Sequence, residues 1–185
     1  MIIHGVPAES TPSAAVAILH ATVPSREAVL LIRRATRPGD PWSGHWSFPG
    51  GRRDPQDRDL LATALRELEE ECGIGLTAEH LERRMPDDWA GRRQDSFVMV
   101  ATFVFRVDDH LTTRLDLAEA AEAVWLPLET VRDLSLHSVR EIPGVPPGRR
   151  FPAFDLLGTP VWGFTYRVLC QWAGVLVAPE GLISL

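Results

Sequence analysis

The sequence lacks the residues that would build a cysteine metal site, a disulfide framework or a membrane span. Its two cysteines, Cys72 and Cys170, lie far apart and in no CxxC pair, which excludes a structural zinc site and a disulfide scaffold. The longest apolar stretches, such as 168–178, fall short of the ~20 residues of a spanning helix. Residues 1–13 show no pattern typical of a secretory signal. We therefore expect a cytoplasmic protein that does not act on membranes.

The chain also lacks an excess of positive charge. It has 19 Lys+Arg against 25 Asp+Glu, a formal net charge of −6, and affinity for a phosphate backbone comes largely from clustered basic residues. Nucleic acid is therefore excluded as the main partner. A hydrophobic content of 45% argues against disorder, and no repeat or long linker divides the chain. We predict one domain over 14–175, a loose segment over 1–13 and a tail over 176–185.

The hydrophobic pattern predicts strands and helices in mixed order. Alternating or continuous short apolar runs predict strands at 14–19, 29–33, 46–48, 98–107 and 123–126. Helical spacing predicts helices at 60–72, 128–134 and 161–175. The fold class expected from this order is α/β or α+β rather than a regular βαβ winding.

The helix over 60–72 carries a cluster of carboxylates beside its apolar face. At about 100° per residue, Glu67, Glu70 and Glu71 lie within about 100° of one another, next to the face that packs into the core. Carboxylates this close repel by several kcal/mol at an effective dielectric constant of ~20, unless a cation compensates. Oxygen ligands of this kind suit Mg²⁺, Mn²⁺ or Ca²⁺. A solvated acidic helix face is the alternative for an isolated cluster.

The residues around this cluster decide between the two interpretations. Phe48-Pro49-Gly50-Gly51 is followed by Asp57 and then by Arg66-Glu67-Leu68-Glu69-Glu70-Glu71-Cys72-Gly73-Ile74. This series resembles the Nudix box, a loop-helix-loop metal site. The resemblance implies a Nudix-type α/β/α sandwich with a mixed β-sheet. Asp57 departs from the family pattern, because the usual residue is Glu and one residue is inserted between it and Arg66.

Flanking segments resemble the coenzyme A pyrophosphatase-like subgroup of the Nudix family. The segment 39–45 looks like the one that precedes the box in that subgroup, and 151–154 with 161–165 resemble its C-terminal region. Thr36 stands where Ser is usual, and Asp40 stands where the coenzyme A signature has Arg.

The family resemblance implies metal-dependent hydrolysis of a nucleoside diphosphate linked to another group, with Mg²⁺ or Mn²⁺ as cofactor. Glu70 and Glu71 are the implied metal ligands, and Glu67 is a ligand or the carboxylate that polarises water. Arg66 is expected to orient a glutamate by a bidentate pair. Gly51 is either a ligand through its carbonyl or a turn glycine. The role of Asp57 is open between metal binding and structure.

Further candidates lie outside the box. Glu119, with Glu122 as runner-up, is the candidate for a general base or further ligand, and either could equally be a surface residue. The candidates for substrate binding are Arg33, Arg37, Trp42 and Phe48.

Subgroup markers narrow the substrate. The only tyrosine is Tyr166, which disfavours a diadenosine-polyphosphate enzyme, and 88–90 lack the proline of ADP-ribose enzymes. Coenzyme A or a derivative is the favoured substrate. The alternatives are a nucleotide-sanitising pyrophosphatase, a non-catalytic nucleotide-binding regulatory module and an acidic interaction domain. A homodimer is left open.

Overall fold

The computed structural model describes residues 11–23, 26–39, 42–91, 97–177 and 183–184. The predicted turn at residues 24–25, Asp40, and most of the predicted end segments 1–13 and 176–185 lie outside the described residues. The domain bounds stay predictions.

A seven-stranded mixed sheet forms the centre of the fold, in the order β3-β2-β1-β6-β5, with β4 beside β1 and β7 beside β2. Its strands are β1 (Ala14–Val23), β2 (Arg26–Arg34), β3 (Trp46–Ser47), β4 (Gly50–Arg52), β5 (Leu81–Ala90), β6 (Val98–Val107) and β7 (Ala120–Pro127). The β1/β6 pair is parallel and the other pairs are antiparallel. Every strand predicted from the sequence is present.

Helices cover both faces of this sheet, because successive side chains of each strand point to opposite sides. On one face, Ala15, Ala17 and Leu19 of β1 pack in a core that includes α1 (Leu60–Cys72). On the other face, Ile18 packs in a core that includes α2 (Leu128–Arg132) and α3 (Gly163–Ala173). The expected α/β/α sandwich is confirmed.

Helix α1 has the predicted bounds, and local signals explain both of its ends. Asp59 caps the N-terminus by accepting a hydrogen bond from the N–H of Ala62. Gly73 ends the helix in the left-handed conformation, at φ 67°. A side chain at Gly73 would also meet Arg114, whose N–H donates to the carbonyl of Cys72. The loop that precedes β7 is thereby fastened to the C-terminus of α1.

The C-terminal part of the fold differs from the predicted single helix over 161–175. The first residues of that range belong to a three-stranded antiparallel sheet made of β8 (His137–Glu141), β9 (Arg150–Leu156) and β10 (Thr159–Trp162). Val161 pairs with Phe154 of β9, so the helix begins only at Gly163, which turns the chain at φ 64°. The remaining elements are a two-stranded pair, β11 (Leu176–Val177) and β12 (Ile183–Ser184), and 3₁₀ turns at Ala78–His80 and Leu134–Leu136.

Among the described residues, no helix combines the length and the apolar character that crossing a bilayer requires.

Candidate active site

Two glycines bring the loop of β4 against both β1 and α1. Gly50 has φ 156°, and a Cβ there would lie 2.7 Å from the Cα of Val16. A Cβ on Gly51 would lie 2.8 Å from Oε2 of Glu67. Glycine is therefore required at position 50 for β4 to approach the backbone of β1, whereas at position 51 it leaves room for the end of the Glu67 side chain.

Arg66 connects the loop before α1 to the carboxylates of the helix. Its Nε and Nη2 donate to the two carboxylate oxygens of Asp57, each at 3.0 Å. Its Nη1 donates to Oε1 of Glu67 at 2.9 Å and to Oε2 of Glu70 at 2.7 Å. The expected bidentate pair exists, but its partner is Asp57 rather than a glutamate. One guanidinium thus fixes three carboxylates, and its own pKa is raised by Asp57 first of all.

The carboxylate of Asp57 is fully engaged in holding the loop. It is 8% exposed and also accepts hydrogen bonds from the N–H of Asp54 and the hydroxyl of Thr63, both at 2.9 Å. The hydrogen bonds from Arg66 hold the pKa of Asp57 well below its usual range. These contacts support a structural role for Asp57.

Glu71 is buried with little compensation of its charge. It is 3% exposed, and the backbone N–H of Gly50 donates to its Oε2 at 2.9 Å. Burial raises the pKa of Glu71 to about 7, and the negative charges of Glu67 and Glu119 add to the rise. Burial also raises the pKa of Glu67, with Glu70 and Glu119 contributing repulsion. The site concentrates more negative charge than its surroundings offset.

Glu119 is brought to this cluster by the loop before β7. The N–H of Asp116 donates to the carbonyl of Glu71 at 3.2 Å, and the N–H of Ala35 donates to the carbonyl of Glu119 at 2.8 Å. Nη2 of Arg37 lies 2.7 Å from Oε1 of Glu119, and its Nε donates to the carbonyl of Ala118 at 3.0 Å. The structure thus brings Glu119 and Arg37 together beside the box carboxylates.

Glu122 and Arg33 lie elsewhere. They form a cross-strand pair, with Nη2 of Arg33 2.8 Å from Oε2 of Glu122. Along β2, Leu30 and Ile32 pack on the α1 face while Val29 and Leu31 pack on the opposite face, so Arg33 follows the latter. This placement is a correction to the expectation that Arg33 reaches phosphates beside the box.

Arg34 is a site residue for which the sequence favours a solvated strand edge over contact with substrate phosphates. It continues the Leu30 and Ile32 side of β2, and its positive charge lowers the pKa of Glu71. The alternation along β2 points to it, because Leu30 and Ile32 face α1, although the β2/β7 pairing shifts register between Arg33 and Arg34.

The two aromatic candidates for substrate binding, Phe48 and Trp42, differ in how far they are buried. Phe48 is 2% exposed within the core under α2 and α3, so the prediction that it binds substrate is wrong. The apolar FPGG segment turns inward there because Phe48 fills the core, while the glycines after it approach α1. Trp42 is half-buried in the loop after β2, where its carbonyl accepts from the N–H of His45 at 3.2 Å.

The donor chemistry of this cluster fits a hard divalent cation. Glu67, Glu70 and Glu71 supply carboxylate oxygens next to the Gly50-Gly51 backbone. A bound cation would offset the buried negative charge of Glu71. Across the described ranges, no group of three or more His, Cys, Asp and Glu side chains already converges as a metal cage. Arg66 instead holds Glu67 and Glu70.

Comparison with known proteins identifies the family of this chain. A model of the NUDIX domain matches residues 11–144, more than half of the chain. The chain belongs to the Nudix family.

Two curated Nudix relatives are similar to this chain over part of their length. The Nudix hydrolase NudL of Yersinia enterocolitica, an uncharacterised protein, is 34% identical over 121 residues, covering 65% of this chain and 60% of NudL. The human mitochondrial coenzyme A diphosphatase NUDT8 is 42% identical over 69 residues, covering 37% of this chain and 29% of NUDT8. Both alignments span less than two thirds of the relatives' own lengths.

Solved Nudix structures share the fold. The Nudix hydrolase RenU of M. smegmatis superposes with a TM-score of 0.52 at 27% identity, covering 66% of this chain and 74% of RenU.

Proposed function

We propose that this Nudix protein is a metal-dependent hydrolase that cleaves the diphosphate linkage of a nucleoside diphosphate derivative. The observation that carries the proposal is the uncompensated negative charge of the box, where Glu71 is 3% exposed and its pKa is raised to about 7. Isolated buried carboxylates cost stability, so a cluster of this kind is expected where a cation completes it. The acidic protein then meets an anionic substrate through that cation.

The proposed ion is Mg²⁺ or Mn²⁺, held by Glu67, Glu70 and Glu71, with the backbone of Gly51 as a further candidate ligand. When bound, the ion supplies the positive charge that offsets the diphosphate and polarises its phosphorus. Glu70 has a side chain that is 58% exposed, so it can turn from Arg66 towards the ion at small cost.

The other residues position these groups or handle protons. Arg66, anchored on Asp57, orients Glu67 and Glu70 from the side. Glu119 is the proposed acceptor of the proton from the attacking water, with Arg37 holding its carboxylate at 2.7 Å. We assign substrate phosphate contact to Arg34 and Arg37 rather than to Arg33. The charge of Arg34 lowers the pKa of Glu71, and Arg37 forms an ion pair with Glu119, so both lie beside the box.

Coenzyme A or a derivative is the proposed substrate. The support is the sequence similarity to NUDT8, a coenzyme A diphosphatase, together with the segments around the box that resemble that subgroup. A nucleotide-sanitising activity is the competing outcome of the same assay. We also propose a reducing, cytoplasmic setting, supported by Cys72 and Cys170, which are both buried and unpaired. The number of chains in the assembly is left to measurement.

The test compares two adjacent glutamates of α1. Glu70→Gln removes a proposed ligand, whereas Glu69→Gln makes the same chemical change at an exposed position of the same helix. Wild type and both variants are assayed with Mg²⁺ and Mn²⁺ against coenzyme A, acyl-coenzyme A, ADP-ribose, NADH, 8-oxo-dGTP and nucleotide sugars. We expect turnover of coenzyme A or its derivative that falls at least about 100-fold in Glu70→Gln and stays within twofold in Glu69→Gln.

Metal binding is measured separately by the thermal midpoint. Millimolar Mg²⁺ or Mn²⁺ should stabilise the wild type and Glu69→Gln more than Glu70→Gln, since ligands that bind only the folded state stabilise it. Equal turnover in the two variants would refute the catalytic assignment. Tight nucleotide binding without any hydrolysis would favour a regulatory module, and the absence of any metal effect on the wild type would favour an acidic interaction domain.

A further inference from the structure

A cavity of about 310 Å³ lies on the opposite face of the sheet from α1. His20 and Thr22, near the end of β1, line it together with Leu128 at the start of α2 and Trp172 in α3. Ala15 and Val16, which contact the box loop, stand at the beginning of the same strand. At about 3.3 Å per residue, His20 is about 16 Å along β1 from Ala15, so the cavity is separate from the candidate active site.

The cavity concentrates positive charge in an acidic protein. Arg83, Arg106 and Arg132 line it, against the two carboxylates of Glu27 and Glu82. The formal balance with neutral histidine is 3 − 2 = +1, while the whole chain is at −6. The 19 basic residues of the sequence are all arginines, so every side-chain cation in the cavity other than histidine is a planar, weakly hydrated guanidinium.

Two of the three arginines have an acidic neighbour inside the cavity and the third has none. Arg132 lies 3.3 Å from Glu27, and Arg83 lies 3.2 Å from Glu82. Arg106 has no hydrogen-bond or ion-pair partner within the part of the chain that the structure describes. The excess charge of the cavity is therefore located on Arg106.

The wall behind Arg106 is aromatic and largely buried. His20 is 6% exposed, stands opposite Arg106 in the parallel β1/β6 register, and pairs through Nε2 with Glu82 at 2.9 Å. Its ring packs on Trp172, with centroids 5.2 Å apart. Its Nδ1 is buried and has no partner among the described residues. The wall thus offers an indole and an imidazole surface beside a guanidinium.

We propose that this cavity binds a small phosphate monoester, with Arg106 as the main anion contact and Trp172 against the body of the ligand. A volume of about 310 Å³ is at the lower end of the range for ligand pockets and exceeds what a bare ion requires. A phosphate monoester presents three oxygens and close to two negative charges. It therefore suits the unpaired guanidinium of Arg106, flanked by the ion-paired Arg83 and Arg132, better than a carboxylate ligand would.

The test follows the indole N–H signal of Trp172 by NMR, identified by its loss in Trp172→Phe. Inorganic phosphate, ribose 5-phosphate, AMP and acetate are titrated at constant ionic strength, with a chelator present to keep divalent metal from the box carboxylates. Variants are Arg106→Ala and Arg106→Lys, with Arg149→Ala as the matched control. Arg149 lies just before β9, over the ring of Phe151, and does not line the cavity.

We expect saturable shifts of the Trp172 signal with the phosphate ligands, while the amide signals of Gly50 and Gly51 do not move. Affinity should fall at least tenfold in Arg106→Ala and partly in Arg106→Lys, and stay within twofold in Arg149→Ala. Tighter binding of AMP or ribose 5-phosphate than of inorganic phosphate supports a phosphate monoester, and tighter binding of inorganic phosphate would overturn that assignment.

Three further results would overturn the proposal. They are an unmoved Trp172 signal, an equal response in Arg106→Ala, and an equal response to acetate. Because Arg106 is exposed, its replacement leaves the fold intact, and the amide spectrum of each variant checks this directly.

Discussion

Asp57 and Glu71 are two buried carboxylates of the same loop-helix unit, and they differ in how their charge is balanced. Asp57 receives both ends of the Arg66 fork, a hydroxyl and a backbone N–H, and its pKa is held well below the usual range. Glu71 receives the N–H of Gly50, and burial raises its pKa to about 7. Both side chains have little exposed surface, but desolvation is the main cause of the raised pKa of Glu71, whereas hydrogen bonds from Arg66 outweigh desolvation at Asp57.

This difference separates a carboxylate that builds the site from one that is available to it. A side chain whose oxygens are all occupied stabilises the fold and has no capacity for a ligand. A buried side chain with an uncompensated charge costs stability until a cation arrives. The predictions below test this division, beginning with the residue at which a substitution should change most.

The largest effect is expected at Glu71. Glu71→Gln keeps an oxygen that accepts from Gly50 but removes the charge, so hydrolysis should fall at least about 100-fold. In wild type the folded state binds more protons than the unfolded state between pH 4.5 and about 7, so its stability falls across that window as pH rises. The metal-free variant should therefore match wild type near pH 4.5 and exceed it by about 3 kcal/mol at pH 8.

Urea unfolding with a chelator at pH 4.5, 6 and 8 measures this gain. Glu69→Gln, on the exposed side of α1, serves as the control and should show no comparable pH trend. A Glu71→Gln protein that is less stable than wild type at pH 8 would contradict the idea that Glu71 is held at a cost.

The opposite sign is expected at Asp57. Asp57→Asn removes the charge that faces the partly buried Arg66, so unfolding free energy at pH 7 should fall by about 3 kcal/mol. Because the pKa of Asp57 is depressed, its contribution is complete above its unfolded pKa near 4 and is lost as pH falls further. Denaturation at pH 7 and at pH 2.5 tests both points, since the difference between variant and wild type should shrink at the lower pH.

Helix α1 could be predicted from the sequence because its signals are local. Apolar spacing and Gly73 define its end, and both operate within a few residues. Strand β5 could not be predicted, because it carries several charged residues and Pro86, and its pairing with β6 is what makes it a strand. The same limit applies to Asp57, whose pairing with Arg66 depends on how the intervening loop folds.

A smaller effect is expected at the two glycines, where substitutions should distinguish a loss of stability from a loss of turnover. A Cβ on Gly51 meets the end of the Glu67 side chain, which can move, so Gly51→Ala should cost at most about 1 kcal/mol but lower turnover roughly tenfold. A Cβ on Gly50 meets backbone atoms of β1 at φ 156°, so Gly50→Ala should instead cost about 3 kcal/mol. Measurements of unfolding and turnover on both variants should show mainly a loss of turnover in Gly51→Ala and mainly a loss of stability in Gly50→Ala. A strongly destabilised Gly51→Ala would contradict the assignment.

The smallest effects distinguish neighbouring arginines of β2. Arg33 forms a half-exposed pair with Glu122 on the face away from α1, so Arg33→Ala should leave turnover unchanged and cost less than about 1 kcal/mol. Arg34 lowers the pKa of Glu71, so Arg34→Ala should raise that pKa, destabilise the metal-free protein by on the order of 1 kcal/mol above pH 7, and raise KM about fivefold. The stability loss should disappear below pH 4.5, where Glu71 is protonated in both states. Equal changes in the two variants would mean that Arg34 does not face the box. The partial compensation of the Glu71 charge would then have to come from another positively charged group.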